Sequence, residues 1–553
     1  MNDYLVLGSS PAGMEPAAFA RLCERLLLHL GFTDVSNVDG SGDGGADLVA
    51  MQGDTRWVFQ VKSKTTSSVG PEAVDELMRG LQKFGGERGA VITNRGYSTA
   101  AVQRAEELGR LTQQSYGLWG REQLMRLVSS DRFSERFSSP SLRPYQVDAF
   151  QAAQSDLQET YRALLVLATG LGKTVIAGTV IDWFLSEHVG SQVLVLVHTK
   201  DLVDQLERAL WQHLPSSAAT QQIHSASKPE RLDGVTVATI QSGVKYLREG
   251  FRPDLIFVDE AHHVSEDGQY QEAFGICPEA LRLGATATPW RGDRFDIAEA
   301  FGDASYQIGI EEGMRLGYLA DVKYRLYIDN IDWDYVASLS ANSYSIAELN
   351  RRLFMPQRDE RIRDEMLDVW YDTVSPRAIV FCQTIPHAEA LLEVLRGVPV
   401  WREAAPIHDG LTRREQKTNL ARFRLGDVPI LVAVDMLNEG VDVPDVNIVC
   451  FARVTHSRKV FVQQLGRGLR LSPGKTHVTV LDFVSDLKRV KAALDLRAQV
   501  QGDSEVLHLP SSHSITFNDV KAESLLTEWV MDAADLDTPA DEVRLNFPPI
   551  EAV

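Results

Sequence analysis

The spacing of apolar and polar positions changes twice along the chain. Residues 17 to 30, AAFARLCERLLLHL, place Phe19, Leu22, Cys23, Leu26, Leu27 and Leu30 at helical spacing with Gly31 as a stop, which predicts an amphipathic helix. A hairpin is expected over residues 46 to 62, then a helix near 71 to 84, a short strand in GAVIT and a helix from about 98 to 109. The polar stretch RFSSPSLRP, residues 136 to 144, holds two prolines and marks a boundary. From Arg143 onward continuous apolar runs take over: ALLVLAT, VLVLVH, VTVAT, LIFVDE and LRLGATAT, then after a gap AIVFC, ILVAVD, VNIVCFA and VTVLDF. Runs of this kind between helical stretches predict parallel strands covered on both faces, so two doubly wound sheets are expected. Residues 330 to 372 read as a helical insertion, and beyond about residue 500 the pattern weakens into a tail whose acids outnumber Lys521 and Arg544. The expected division is 1–138, 139–318, 319–500 and 501–553.

Size agrees with several units, since 553 residues exceed what one core holds. No apolar run approaches the roughly 18 residues of a membrane helix. The start, MNDYLVLGSSPAGMEP, lacks the positive and then apolar pattern of an export signal, so a cytoplasmic protein is expected. Cys23, Cys277, Cys382 and Cys450 form no C-x-x-C pair, which argues against a zinc knuckle or a disulfide framework and for small buried side chains. A net charge of -20 and a pI near 5.2 argue against binding of nucleic acid by bulk charge. Any such binding is local, at clusters such as Arg413/Arg414/Lys417, Arg422/Arg424, Arg458/Lys459 and Lys488/Arg489/Lys491, each of which also reads as a solvated helix face.

Two stretches carry chemistry suited to a nucleotide. LLVLATGLGKTVIAG is a buried strand, a turn containing Thr169, Gly170 and Gly172, and a helix start, an arrangement that aims backbone N–H groups at phosphate. Lys173 is expected at the β and γ phosphates and Thr174 at Mg²⁺, although Leu167 stands where the strict pattern has its first glycine. In LIFVDEAHH a buried strand ends in Asp259 and Glu260, placing the first near the metal and the second beside the attacking water. A helix N-cap is the plain alternative for this pair. In VQQLGRGLR, Arg467 and Arg470 lie three apart and could neutralise a transferring phosphate from a neighbouring domain, or form surface ion pairs.

A third stretch, GDGGADLVAMQGDTRWVFQVKSK over residues 42 to 64, suits a phosphodiester. Period-two spacing puts Gln60, Lys62 and Lys64 on one strand face, and a turn at Gly53-Asp54 returns that strand beside Asp47. Phosphodiester hydrolysis needs Mg²⁺ held by carboxylates and a cation near the scissile phosphate.

Nine motifs in order, RPYQ (143–146), ATGLGKT (168–174), VHTKDLVDQ (197–205), VATIQS (237–242), VDEAHH (258–263), GATATP (284–289), IVFCQT (379–384), VDMLNEGVDVP (434–444) and QQLGRGLR (463–470), make residues 140 to 490 resemble the superfamily 2 helicases and translocases, especially restriction-type and repair-type DNA motors. The resemblance implies two RecA-like domains that use ATP and Mg²⁺. It puts Arg143 and Gln146 at the nucleotide, with Gln146 reading adenine. Thr286 and Thr288 would couple nucleotide to DNA, and Gly440 and Asp442 would contact nucleotide or strand. Asp435 departs from the threonine or serine of many relatives.

Residues 17 to 128, through GDGGAD, FQVK and AVITNRGYSTAA, resemble the Mrr-type restriction endonuclease domain of the PD-(D/E)xK fold. That resemblance implies Asp47 and Gln60 as metal ligands and Lys62 as base or phosphate stabiliser. Ala20 stands where the family has a glutamate, and Glu24, one turn on, is the candidate to supply that carboxylate.

The expected fold class is α/β, a PD-(D/E)xK nuclease-like domain followed by two RecA-like doubly wound parallel sheets. The expected activity is an ATP-dependent, Mg²⁺-dependent endonuclease acting on duplex DNA in restriction or anti-phage defence, as a homodimer or with a defence-system partner. Two alternatives stay open: a repair or remodelling motor whose first domain only holds DNA, and a regulatory ATPase stimulated by RNA or a partner protein.

Overall fold

The computed structural model describes residues 16–38, 45–136 except 65 and 113–115, 142–287 except 226, 228, 230, 231 and 267, 296–327, 343–345, 359–434 except 383, 446–452, 475, 477–483, 514–517 and 544–546. They fall into two compact units, one drawn from residues 1–166, 172–307 and 412–425, the other from 167–171, 308–411 and 426–553.

The first unit holds two sheets. In the first, helix α1 (Pro16–His29) precedes strands β1 (Thr33–Asn37), β2 (Leu48–Gln52) and β3 (Thr55–Lys62). Helix α2 (Glu72–Phe84), β4 (Arg88–Thr93), helix α3 (Thr99–Thr112), β5 (Tyr116–Trp119) and helix α4 (Arg121–Val128) follow. The strands lie in order β1-β2-β3-β4-β5. The first two pairings are antiparallel and the last two parallel. The β2–β3 turn closes at Gly53, whose φ of 59° favours glycine. One face buries Phe19, Cys23, Leu26 and Leu27 of α1 against Leu48, Phe59 and Ile92; the other buries Val74, Leu77 and Leu81 of α2 against Val49, Val58 and Val91. The amphipathic helix expected over 17 to 30 is therefore present. Its polar face, however, is not given to water: Arg25 and Glu24 are each 1% exposed.

The second sheet is built from helix α5 (Pro144–Glu159), β6 (Arg162–Leu167), helix α6 (Lys173–Glu187), β7 (Val193–Val197) and helix α7 (Lys200–Trp211). To these it adds β8 (Thr220–Ile223), β9 (Val235–Thr239), β10 (Leu255–Asp259), β11 (Leu281–Thr286) and β12 (Ala304–Ile308). Strand order is β12-β6-β11-β10-β7-β9-β8. The pairings among β6 to β11 are parallel. Strands β7, β9 and the first four residues of β10 are wholly buried, as strands covered on both faces must be. Placing β11 between β6 and β10 brings the loop after β6 and the end of β10 to the same edge, where ligands of open α/β sheets bind.

The second unit is a parallel sheet in the order β16-β17-β15-β18-β19-β13-β20. Its strands are β13 (Asp321–Tyr327), β15 (Ala378–Cys382), β16 (Ala405–Ile407), β17 (Ile430–Val434), β18 (Ile448–Ala452), β19 (His477–Phe483) and β20 (Ser514–Phe517). Helices Asp359–Asp372 and Ile385–Arg396 pack on it around Trp401. The region expected to be a helical insertion holds, among the described residues, the helix Asp359–Asp372 and strand β14 (Ser343–Ser345). From the expected acidic tail, β20 extends the sheet beside β13, and β21 (Arg544–Asn546) pairs antiparallel with β14. Backbone pairing thus draws part of the tail into this unit. All four cysteines are buried and none is in a disulfide. Among the described residues no helix is long and apolar enough to cross a membrane.

Candidate functional site: a nucleotide edge and a nuclease-like hairpin

At the nucleotide edge the chain leaves β6, turns through Thr169, Gly170 and Gly172, and enters α6 at Lys173. Gly170 and Gly172 have φ of 95° and 79°, a left-handed path that turns the chain into the helix. A Cβ on Gly172 would stand 2.7 Å from Nε2 of Gln146, so that side chain lies directly on the loop. Gln146 is held there because its Oε1 accepts from the Arg143 N–H at 3.0 Å, closing the capping box that starts α5 behind Pro144. RPYQ is thus a helix start and a rest for the phosphate loop at once.

Lys173 Nζ lies 2.8 Å from Glu260 Oε1. Glu260 has φ of 52° and stands at the cap position of the short turn Ala261–His263, yet its side chain makes no cap hydrogen bond. The plain alternative for the acid pair is therefore not what Glu260 does here. Burial raises the pKa of its carboxyl, but the Lys173 ammonium together with the charge and hydrogen bond of His262 outweighs burial and holds it well below the usual carboxylate range. His262 Nδ1 sits 3.3 Å from Glu260 Oε2 and 2.9 Å from Thr286 Oγ1 at the end of β11. It joins the acid of β10 to the neighbouring strand, and the sequence reading gave it no role. Asp259 and Thr174 are half-buried at the same edge. A glycine turn, a helix N-terminus, a lysine and two acids form a donor set that fits a nucleoside triphosphate with Mg²⁺. Thr288, Asp435, Gly440, Asp442, Arg467 and Arg470 lie outside the described residues.

In the nuclease-like hairpin Asp47 is pinned from both sides. Its N–H donates to Phe59 O at 2.9 Å, its carbonyl accepts from Val38 N at 2.9 Å, and its Oδ2 accepts from Val61 N at 2.5 Å. The carboxylate therefore rests on β3 between Gln60 and Lys62. Gln60 is 3% exposed and its Oε1 meets no hydrogen-bond donor among the described residues, a cost of roughly 1 to 3 kcal/mol unless something binds it. Lys62 Nζ pairs with Glu76 Oε2 on α2 at 2.6 Å rather than with Asp47. Asn94 of the ITN stretch clamps the end of β3, its Oδ1 accepting from Lys64 N at 2.9 Å and its Nδ2 donating to Lys64 O at 3.1 Å.

Glu76 escaped the sequence reading because Glu72, Asp75 and Glu76 stand together on one helix and nothing in their spacing singles one out. A clue was the pair of glycines. A Cβ on Gly45 would lie 1.9 Å from Glu76 O, and one on Gly80 would lie 2.8 Å from Gly45 O, so the chain at Gly45 lies flat against α2.

Glu24 is held by Arg208 and Asn37. Both its oxygens are taken: Oε2 lies 2.6 Å from Arg208 Nε, while Oε1 accepts from Arg208 Nη2 at 3.0 Å and from Asn37 Nδ2 at 2.7 Å. Ala20, where a glutamate was expected, is buried in the apolar face. No group of three or more His, Cys, Asp or Glu among the described residues could hold a metal ion. Mg²⁺ commonly takes one or two carboxylates and keeps several waters, so Asp47 with the unpartnered Gln60 oxygen still fits it.

A nuclease-like layer joined to a nucleotide-binding sheet, with a second parallel sheet following, defines the class as a helicase-type fold fused to a nuclease-like fold. Comparison with known families places the chain more closely. Residues 11–128 match the family described as "Restriction endonuclease", Mrr_cat; residues 139–291 match "Type III restriction enzyme, res subunit"; residues 357–472 match "Helicase conserved C-terminal domain". The chain thus carries an N-terminal Mrr-type restriction endonuclease domain followed by the paired domains of a superfamily 2 helicase.

Among curated proteins it is 28% identical over 368 residues to a protein named mitochondrial ATP-dependent helicase irc3 of Schizosaccharomyces pombe, covering 64% of this chain and 59% of that one. It is 25% identical over 425 residues to the type I restriction enzyme EcoKI endonuclease subunit of Escherichia coli, covering 66% of this chain and 36% of that one. The chain therefore spans less than two thirds of the length of these relatives. Among solved structures, the DNA-bound type ISP restriction-modification enzyme LlaBIII shares the fold at a TM-score of 0.54 and 17% identity, over 93% of this chain and 41% of that one.

Proposed function

We propose that the protein is an ATP-dependent DNA translocase that also cuts DNA through its N-terminal domain, in the manner of a restriction enzyme directed at foreign DNA. The observation that carries the reading is the buried, unpartnered Gln60 Oε1 beside Asp47 and Lys62, in the same compact unit as the Lys173–Glu260 nucleotide site. The working domains are 1–138, 139–318 and 319–500, with strands from the 501–553 tail pairing onto the last of them.

Bound Mg²⁺ would supply charge neutralisation and an acidified water at both sites. At the nucleotide edge the loop N–H groups and Lys173 would bind the β and γ phosphates, and Thr174 and Asp259 would hold the metal. When Lys173 turns to phosphate, Glu260 is released to orient the attacking water, with His262 fixing its second oxygen. Arg467 and Arg470 would neutralise the γ-phosphate, and Gly440 and Asp442 would contact nucleotide or strand. In the nuclease site Asp47 and Gln60 hold the cation. Lys62, guided by Glu76 at 2.6 Å, acts as a donor to the scissile phosphate.

The test is cleavage of plasmid DNA with Mg²⁺, with and without ATP, by the native chain, Lys62→Ala and Lys173→Ala. Cleavage by the native chain, lost in Lys62→Ala, is the expected result; its further loss in Lys173→Ala ties cutting to the motor. Both losses should reach about 10²-fold or more. The second reading, a motor whose first domain only holds DNA, is favoured by Ala20 and by the engagement of Glu24 with Arg208. It predicts DNA-stimulated ATP hydrolysis without cleavage by any form. Stimulation by RNA alone would overturn both.

A further inference from the structure

Within the first unit, the polar face of α1 meets α7 and the loop behind it through ions. Arg25 donates from Nη1 to Ala218 O and from Nη2 to Pro215 O, each at 2.8 Å. Arg21 Nε lies 3.4 Å from Glu207 Oε2. Between them Arg208 grips Glu24 with its guanidinium fork, and Glu24 is 1% exposed. Taking the Glu24 carboxylate out of water costs several kcal/mol, while Arg208 remains 29% exposed, so apolar side chains would join the layers at least as well. A buried acid held by a partner that reaches solvent is suited to a contact that has a defined alternative state.

That alternative is close at hand on the nuclease side. Asn37, which shares Glu24 with Arg208, ends β1 and pairs with Leu48, the residue after Asp47. Val38, next in the chain, donates its N–H to Asp47 O. The Glu24 carboxylate is thus moored one residue from the backbone that positions Asp47. On the motor side, α7 starts at Thr199, whose hydroxyl caps it by accepting from Leu202 N. It leaves the carboxyl end of β7, the sheet edge that also carries the Lys173 loop and Asp259.

We propose that Arg208 controls the metal site of the nuclease domain by occupying Glu24. With the fork closed the Asp47–Gln60 pair offers a cation one carboxylate. A displacement of α7 breaks the fork and frees Glu24 as the second. The inference rests on the nuclease reading above, and it makes Arg208 a positioning residue, contributed by the motor layer, for a site in another layer.

Binding of Mn²⁺ to the full chain without nucleotide, followed by electron paramagnetic resonance, tests it independently of cleavage. Arg208→Met should raise Mn²⁺ affinity by about tenfold or more, the range over which supporting groups tune metal sites. The gain should vanish in Arg208→Met/Glu24→Gln and in Arg208→Met/Asp47→Asn, which assigns the ion to this site. Arg208→Lys keeps the charge but loses the fork, and should show a smaller gain in a chain under less folding stress. Native affinity in both Arg208→Met and Arg208→Lys would overturn the proposal. The nuclease reading is scored separately. Cleavage lost in Lys62→Ala with Mn²⁺ affinity indifferent to residue 208 sinks the control by Arg208 alone. A Glu24-dependent rise in affinity with no cleavage by any form upholds it and sinks the nuclease reading instead.

Discussion

Lys173 and Glu260 meet from the ends of two strands of one parallel sheet with a single strand between them, whereas Asp47, Gln60 and Lys62 all come from one antiparallel hairpin. In the first case partners 87 residues apart are aligned by continuous ladders, Glu260 directly after a strand and Lys173 at the start of the helix that follows one. In the second the strand residues are near neighbours, but the remaining carboxylates arrive on helices, Glu76 on α2 and Glu24 on α1. The nucleotide edge completes its charge balance inside one sheet. The hairpin depends on its surroundings, since one helix supplies the partner of Lys62 and the motor layer holds Glu24. A site that borrows its charges in this way can be switched by moving a neighbour.

The glycines of the two loops give the sharpest contrast. Gly45→Ala combines a φ of 91° with a Cβ 1.9 Å from backbone that cannot step aside, so the nuclease-like layer should lose about 3 kcal/mol or more in urea unfolding. Gly172→Ala meets only the tip of Gln146, and should lose about 1 to 2 kcal/mol, mostly from its φ of 79°. Equal losses would mean that the two loops are not packed as described.

Acid should separate the layers next. Burial, with Arg25 adding to it against the hydrogen bond to Ser134, lowers the pKa of His29 from 6.5 to about 4. Its folded form stays neutral while the unfolded form takes a proton below 6.5, so this stability is complete above that pH and is lost as pH falls toward 4. The limit is about 3 kcal/mol. Glu260 is held below the carboxylate range, so its contribution persists through the same window and fails only at lower pH. Subtracting the urea-midpoint profile of His29→Gln from that of the native chain should leave a slope between pH 6.5 and 4. A flat difference would refute the burial of this ring.

Glu76→Gln should have the smallest effect. Its pair with Lys62 is 28 to 29% exposed, so stability should change by less than about 1 kcal/mol. Cleavage should fall several-fold as Lys62 loses its guide, measured against ATP hydrolysis by the same sample. Unchanged cleavage would remove Glu76 from the site.

Much of this was open to reading in the sequence. The continuous apolar runs from Ala163 onward became buried parallel strands, and Asp259 and Glu260 fell at a strand end as a buried run terminating in acids predicts. The hairpin and its turn at Gly53 followed from alternation and a glycine. Glu76, Arg208 and His262 were not legible, because each acts on a residue 14, 184 or 24 positions away through packing that no local period records. The strands taken from the acidic tail were missed for a similar reason, since β20 and β21 are short and pair with distant partners.

By itself, then, the sequence determined the long buried strands and the amphipathic helices, where the phosphate loop and acid pair lie, and that a hairpin carries Asp47, Gln60 and Lys62. These depend on backbone preference and on side-chain periods of 2.0 and 3.6, which are local. Tertiary structure alone decided that Lys62 pairs with Glu76, that His262 bridges two strands, and that the polar face of α1 is buried with Glu24 in the grip of Arg208. Those outcomes follow from desolvation, which forces each buried charge to find a partner from whichever element packs against it.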